Sequence, residues 1–378
     1  MSLSTSMANH FPSIINFVKC KLKIKAKRKG DRFMRKILLL ILAFAMVFCM
    51  AACGNTTINN KGAGNESNIS TENNVTEESK PETITIQALN ANKEMVEIEV
   101  PYDPERIAIL DMPALDIVDA LGLGDRVVGS AKVTIEYLTD YNPDDSNGTI
   151  INLGTVKTAD LEKIAACEPD IIFIGGRLST IYADLEAIAP VVYLSVDYEK
   201  GVVESTKYNA QTIASIFGKE AEVDAMFTDF QPRIDALKSV LNQKNVLLGM
   251  YNSNALGLMD TQSQLNIIVN ELGANNLGEV VGEVDKVTHG EEASWETIIT
   301  LNPEYMFILD RSTATGAAEE GILGAREVIE NDLVKELDVY KNNKIVYFID
   351  HANVWYTSTG GVQALDTMLA DLESALLN

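Results

Sequence analysis

Two arginines close two apolar runs of this chain with the same spelling. EPDIIFIGGR occupies residues 168–177 and NPEYMFILDR residues 302–311. Each arginine stands eight residues after a proline, Arg177 after Pro169 and Arg311 after Pro303. Each proline stands seven residues after a glutamate, Glu162 and Glu296. A guanidinium presents a planar fork of N–H donors that stays charged, so two converging forks can grip an anion with several oxygens. Convergence is expected where parallel sheets face one another, because their ligands sit beyond the carboxyl ends of the strands. A strand-end arginine can also pair with a local carboxylate; the repeated spacing favours the cleft.

The stretch DHANVWYTSTGG, 350–361, follows another apolar run, KIVYFI, and belongs on the same rim. Trp355 and Tyr356 are expected there as an exposed pair packed against a ligand. Beyond the N-terminal segment the chain has two histidines, His289 in the glycine-flanked VTHGEEASWE and His351. Two are too few for a His-rich zinc site. There is no G-x-S-x-G elbow, P-loop, H-E-x-x-H or strand-borne G-x-G-x-x-G, so the expectation is a protein that is not an enzyme. A hydrolase working with paired carboxylates leaves no such motif and remains the alternative, although nothing places two acids together.

The elements that must position these residues read as α/β. TITIQALNANKEMVEIEV, 83–100, alternates around an Asn-Ala-Asn turn and predicts a β-hairpin. RIAIL, RVVG, DIIFIG and VVYLS are short apolar strands separated by helical patterns, which means βα units and a mainly parallel sheet. Val223, Phe227, Phe230, Ile234, Leu237 and Leu241 then recur at gaps of three and four around Pro232, predicting one long helix. Strand and helix patterns resume with NVLLGMY and end in a helix from about Val362. The layout is a lobe at 81–218, an interlobe helix at 219–243 and a second lobe at 244–378. Asp160 and Ser294 are good N-cap types, placing Glu162 and Glu296 in helix first turns, where the helix dipole favours them.

The first 52 residues read as an extension and a secretory signal. A basic run, KLKIKAKRKGDR, precedes MRK and the apolar ILLLILAFAMVFCMAAC, with Met34 a natural start. The apolar run is short of the ~20 residues needed to span a bilayer. MAAC resembles a bacterial lipobox, which makes Cys53 the expected lipid-bearing residue. Residues 53–80 hold seven Asn and no aromatic, and read as a flexible tether reaching ~30 Å. From residue 53 onward 21 basic residues face 53 acidic ones, a net −32, which argues against nucleic acid. It also makes a cleft arginine a charge set against the general trend. Cys167 is the lone cysteine beyond Cys53, so no disulfide framework is expected.

The quoted motifs resemble the siderophore-binding lipoproteins of bacterial ABC importers over nearly all of 81–378. PYDPERIAILDMPALDIVDALGLGDRVVG is similar to the opening of that family's first lobe. IIFIGGRLSTIYADLEAIAPVVYL, GEEASWETIITLNPEYMFILDR and VWYTSTGGVQALDTM resemble the subgroup for ferric catecholates and petrobactin- or enterobactin-like compounds. The resemblance implies two lobes joined by a rigid helix, with the ligand cleft between them. It matches Arg177 and Arg311 to two of three cleft arginines, and puts Gln264, in TQSQLNIIVNELG, where the third is expected. It makes His289 and Tyr356 candidates for the two iron positions that a tetradentate siderophore leaves open; packing around the ligand without a bond to iron is the other reading. A metal can drive off a tyrosine proton whose ordinary pKa is about 10. It further implies that Glu162 and Glu296 dock on the permease pair, that the protein is a lipid-anchored extracytoplasmic monomer, and that it needs no cofactor beyond its ferric cargo. Cobalamin, haem or another metal chelate is the alternative ligand.

Overall fold

A run of apolar residues can sit in a sheet without alternation only when both faces are covered, and the two central strands of the first lobe meet that condition. The computed structural model describes residues 81–144, 148–280, 291–292, 294–316 and 323–377. The signal-like segment, the tether with Cys53, and His289 lie outside the described residues. The chain enters through the expected hairpin, β1 (Thr83–Leu89) against β2 (Met95–Pro101), antiparallel from Thr83↔Pro101 to Leu89↔Met95. Asn90 closes its turn, its Oδ1 accepting from the amides of Asn92 and Glu94.

The first sheet contains β3 (Ile107–Leu110), β4 (Val127–Ser130), β5 (Ile151–Asn152), β6 (Ile171–Ile174) and β7 (Val191–Tyr193). Their order is β5-β4-β3-β6-β7 and every pairing is parallel. All four residues of β3 and of β6 are buried, which is why their sequences read as unbroken apolar runs. Helix α1 (Met112–Ala120) follows β3, capped by Asp111 through the amide of Ala114. Helix α2 (Leu161–Ala166) precedes β6 and is capped by Asp160.

Two long helices lead out of this lobe, α3 (Val202–Ile216) and α4 (Glu220–Leu241). The six apolar positions expected on α4 are its buried residues, and Pro232 lies inside the helix without ending it. The second sheet is built from β8 (Asn245–Asn252), β9 (Ala255–Leu258), β10 (Asn275–Asn276), β11 (Glu291–Glu292), β12 (Tyr305–Asp310) and β13 (Ile345–Phe348). It runs β11-β9-β8-β12-β13, with β10 beside β8. β8, β12 and β13 are parallel, while β9 folds back on β8 as an antiparallel hairpin. Its helices include α5 (Asn266–Asn270), α6 (Trp295–Leu301), α7 (Arg311–Ala314) and α8 (Ala352–Thr357).

The last helix, α9 (Val362–Leu376), starts where the pattern placed it, but packs on α1, α3 and α4. The chain therefore returns to the first lobe's helices at its end. Arg233 of α4 clamps it there: Nε and Nη2 donate to the two carboxylate oxygens of Glu373 at 2.7 and 2.9 Å, and Nη1 donates to Asp366 at 2.5 Å. A two-pronged arginine shared by two acids is worth more than a loose surface pair. Replacing Arg233 with Met is expected to cost about 2 kcal/mol; urea denaturation checks this, and an unchanged midpoint contradicts the clamp.

Candidate functional site

Both arginines stand where their spelling put them. Arg177 follows β6 after Gly175 and Gly176, is exposed, and has no side-chain partner among the described residues. Arg311 follows β12 at once and opens α7. Its head is held in place: Nη1 donates to Asn252 Oδ1 at 2.7 Å and Nε donates to the Tyr356 hydroxyl at 3.0 Å. The guanidinium carbon also lies 5.6 Å from the Tyr356 ring centroid. Asn252 ends β8, the strand paired with β12, so neighbouring strand ends build the arginine and its support together.

Gly176, next in the chain to Arg177, and Thr357, next to Arg311's partner Tyr356, both line one cavity. It has a volume of about 170 Å³, and its walls include Asp111, Gly175, Gly176 and Tyr198 from the first lobe and Thr357 and Thr359 from the second half of the chain. Arg177 directly follows Gly176, and Tyr356 directly precedes Thr357. Gly175 is needed for space: a Cβ there would sit 2.5 Å from Asp111 Oδ1. Asp111 lines this cavity, and burial pushes its pKa up to about 6 against the pull of the Ala114 amide. Burial likewise pushes the Tyr198 phenol up to about 12.

The segment after Tyr356 is pinned by a second buried acid. Asp116 of α1 is 0 % exposed and accepts from the first amides of α9, Gln363 N at 2.8 Å and Ala364 N at 3.0 Å. The Tyr137 hydroxyl donates to it as well, at 2.6 Å. Burial raises its pKa to about 7, and these three donors oppose that rise. α9 starts on Gly361, which has no side chain to cap with, and a Cβ there would lie 2.5 Å from Asp116 Cγ. The cap is borrowed from the other lobe.

One expectation is corrected. Trp355 does not share the rim with Tyr356: it is 0 % exposed, stacks on Phe348 at a centroid distance of 3.9 Å, and donates from Nε1 to Asp371 at 2.9 Å. The two residues are neighbours on α8, and helical neighbours point about 100° apart, so only one can face the cavity side. Trp355 is therefore packing beneath the site, and His351 pairs with the same Asp371 at 2.8 Å. Gln264 is half-buried in the turn before α5 and makes no side-chain hydrogen bond among the described residues. Glu162 and Glu296 are exposed in the first turns of α2 and α6. Asn252, Asp111 and Asp116 were not singled out from sequence; Asn252 and Asp111 stand at strand ends and were open to the same argument as the arginines.

Among the described residues no group of three or more His, Cys, Asp or Glu side chains could hold a bare metal ion. What the geometry offers is a cationic fork braced on a phenol, Arg311 with Tyr356, and an exposed guanidinium, Arg177, at the matching strand end, donors that suit an anion or an anionic chelate.

Known proteins share this architecture. A family model described as "Periplasmic binding protein" matches residues 107–351. The petrobactin-binding protein YclQ of Bacillus subtilis is 31% identical over 347 residues, covering 91% of this chain and 99% of that protein. Its crystal structure superposes with a TM-score of 0.69, covering 79% of this chain and 100% of that one. The ferric-anguibactin-binding protein FatB of Vibrio anguillarum is 24% identical, over 71% of this chain and 81% of its own length. The catecholate-siderophore binding protein VctP of Vibrio cholerae is 26% identical with a TM-score of 0.67, covering 77% of this chain and 100% of that one.

Asp111 makes a pH-dependent prediction. Its carboxyl holds a proton to about pH 6 in the folded protein, against an ordinary value of 3.8. Its contribution to stability is therefore complete below pH 3.8 and is lost as the pH rises through about 6. The stability advantage of wild type over Asp111→Asn, which keeps a capping oxygen, should shrink between pH 4 and 7 in urea titrations; an advantage that grows with pH contradicts the assignment.

Proposed function

The chain belongs to the periplasmic binding protein family, and from that premise we propose that it captures a ferric siderophore outside the cytoplasm and delivers it to an ABC importer. The observation that carries this reading is the pairing of Arg311 with Tyr356, next in the chain to a cavity that Gly176, the neighbour of Arg177, also lines. A ferric catecholate is an anion rich in charged oxygens. Guanidinium forks supply charge-assisted donors to those oxygens without competing for the metal. Fe³⁺ is hard and favours anionic oxygen, so the Tyr356 oxygen is the iron ligand assigned to this chain's second half. Arg311 Nε–H already points at that oxygen. His289 takes the other open position on a tetradentate complex.

Two cationic forks disfavour cobalamin or a bare metal ion as cargo. Gln264 supplies hydrogen bonds where a third charge would strengthen the clamp, which points to a ligand of lower charge or one gripped more lightly. We assign residues 81–218 and 244–378 to the two lobes and 219–243 to the helix between them. Glu162 and Glu296, one exposed acid per lobe on matching first turns, are the contacts for the two permease subunits. Cys53 carries the lipid that anchors a monomeric receptor to the membrane, with residues 53–80 as its tether.

Titration of the protein with ferric complexes of tetradentate catecholate, hexadentate catecholate and hydroxamate siderophores, followed by tryptophan quenching, tests this. Saturable quenching by a catecholate complex is expected. Arg177→Gln and Arg311→Gln should each raise Kd by about 10- to 100-fold, the worth of a charge-assisted hydrogen bond. Saturation by no ferric complex at micromolar concentration rejects the reading, and arginine variants that bind as wild type reject the clamp.

A further inference from the structure

Away from the cavity the lobes meet through a short helix that grips one loop at both ends. α5 of the second lobe packs against α3 of the first. At the first residue of α5, Asn266 Nδ2 donates to Tyr198 O at 3.1 Å and to Thr261 O at 2.6 Å. Just past its last residue, Glu271 Oε1 accepts from Val203 N at 2.7 Å. Residues 198–203 of the first lobe are thus held at each end by a side chain of the second.

The receiving loop is shaped for this contact. α3 begins on Gly201, at φ +97° and with no side chain of its own to cap it, so Glu271 provides the cap. A Cβ on Gly201 would stand 2.1 Å from Asn270 Nδ2 and 2.6 Å from Glu271 Oε1. Stability alone does not explain the arrangement. Asn266 Oδ1 and Glu271 Oε2 are buried with no hydrogen-bond partner among the described residues, and burial raises the Glu271 pKa. Unpaired buried oxygens cost free energy, so the contact carries a cost beside its two hydrogen-bonded ends.

What it positions is one side of the candidate site. Tyr198, whose carbonyl Asn266 takes, lines the cavity. Gln264 stands two residues before Asn266, in the turn whose Thr261 carbonyl is bound by the same amide. We infer that Asn266 and Glu271 are positioning residues that fix the second lobe on the first and hold the Gln264 turn in register with the Tyr198 wall. Neither residue lines the cavity, and the inference holds whatever ligand the cavity takes.

The test measures the lobe-to-lobe distance without ligand. Spin labels are carried on unnatural amino acids at Lys163 of α2 and Thr300 of α6, both exposed, so that no cysteine is touched. Pulsed electron paramagnetic resonance should give a narrow distance distribution for the otherwise wild-type protein. Glu271→Ala and Asn266→Ala should each broaden it at least about twofold while helical circular dichroism is retained. Glu271→Gln keeps an acceptor for Val203 N and should stay near the wild-type width. Two alanine variants, rather than one, keep the test decisive if either fails to fold. Unchanged widths in the folded alanine variants overturn the inference, as does equal broadening in Glu271→Gln and Glu271→Ala. A failure of every ferric complex to bind would leave these distances as informative as before.

Discussion

Between Tyr356 and α9 the chain passes along the cavity through Thr357 and Thr359, and the site depends on where that crossing lands. Asp116 decides the landing point. It is buried, and its two oxygens collect two backbone amides and a tyrosine hydroxyl, so the first turn of α9 has one place to sit. Burying a carboxylate is costly, as its raised pKa shows, and that cost is tolerable only with every donor in place. Tyr356 lies upstream on α8, with its hydroxyl on Arg311. Thr357 and Thr359 thereby join Gly175 and Gly176 in lining the cavity.

The same device recurs in the opposite direction. Asp116 of the first lobe caps the last helix of the second, and Glu271 of the second caps a helix of the first. Both receiving helices begin on glycine, and both glycines are places where a Cβ would collide with the visiting acid or its neighbour. Together with the Arg233 clamp between α4 and α9, these contacts tie the helices of the two lobes to one another. The net charge of the chain is strongly negative, so cationic forks at the strand ends are local exceptions, and Asn252 holds one of them, Arg311.

Much of this was open to reading from sequence because it was local. The strands are continuous apolar runs, the glutamates follow N-cap residues, and the arginines follow strand ends; each signal lies within a dozen residues. Trp355 was misread because adjacency in sequence was taken for adjacency on a surface, which a helix forbids. The contacts that orient the lobes left no local signal. Gln363 meets Asp116 across 247 residues and Val203 meets Glu271 across 68, and only the fold brings them together. Gly201 and Gly361 were visible as glycines at helix starts, yet what they make room for is a side chain from elsewhere.

The most direct measurement is the position of the metal. Crystals of the protein grown with a ferric tetradentate catecholate, measured at the iron absorption edge, locate the ion from its anomalous scattering. One peak is expected, beside the Tyr356 hydroxyl and between Arg177 and Arg311. A peak elsewhere on the protein, or an empty cavity in crystals soaked to saturation with the complex, contradicts it.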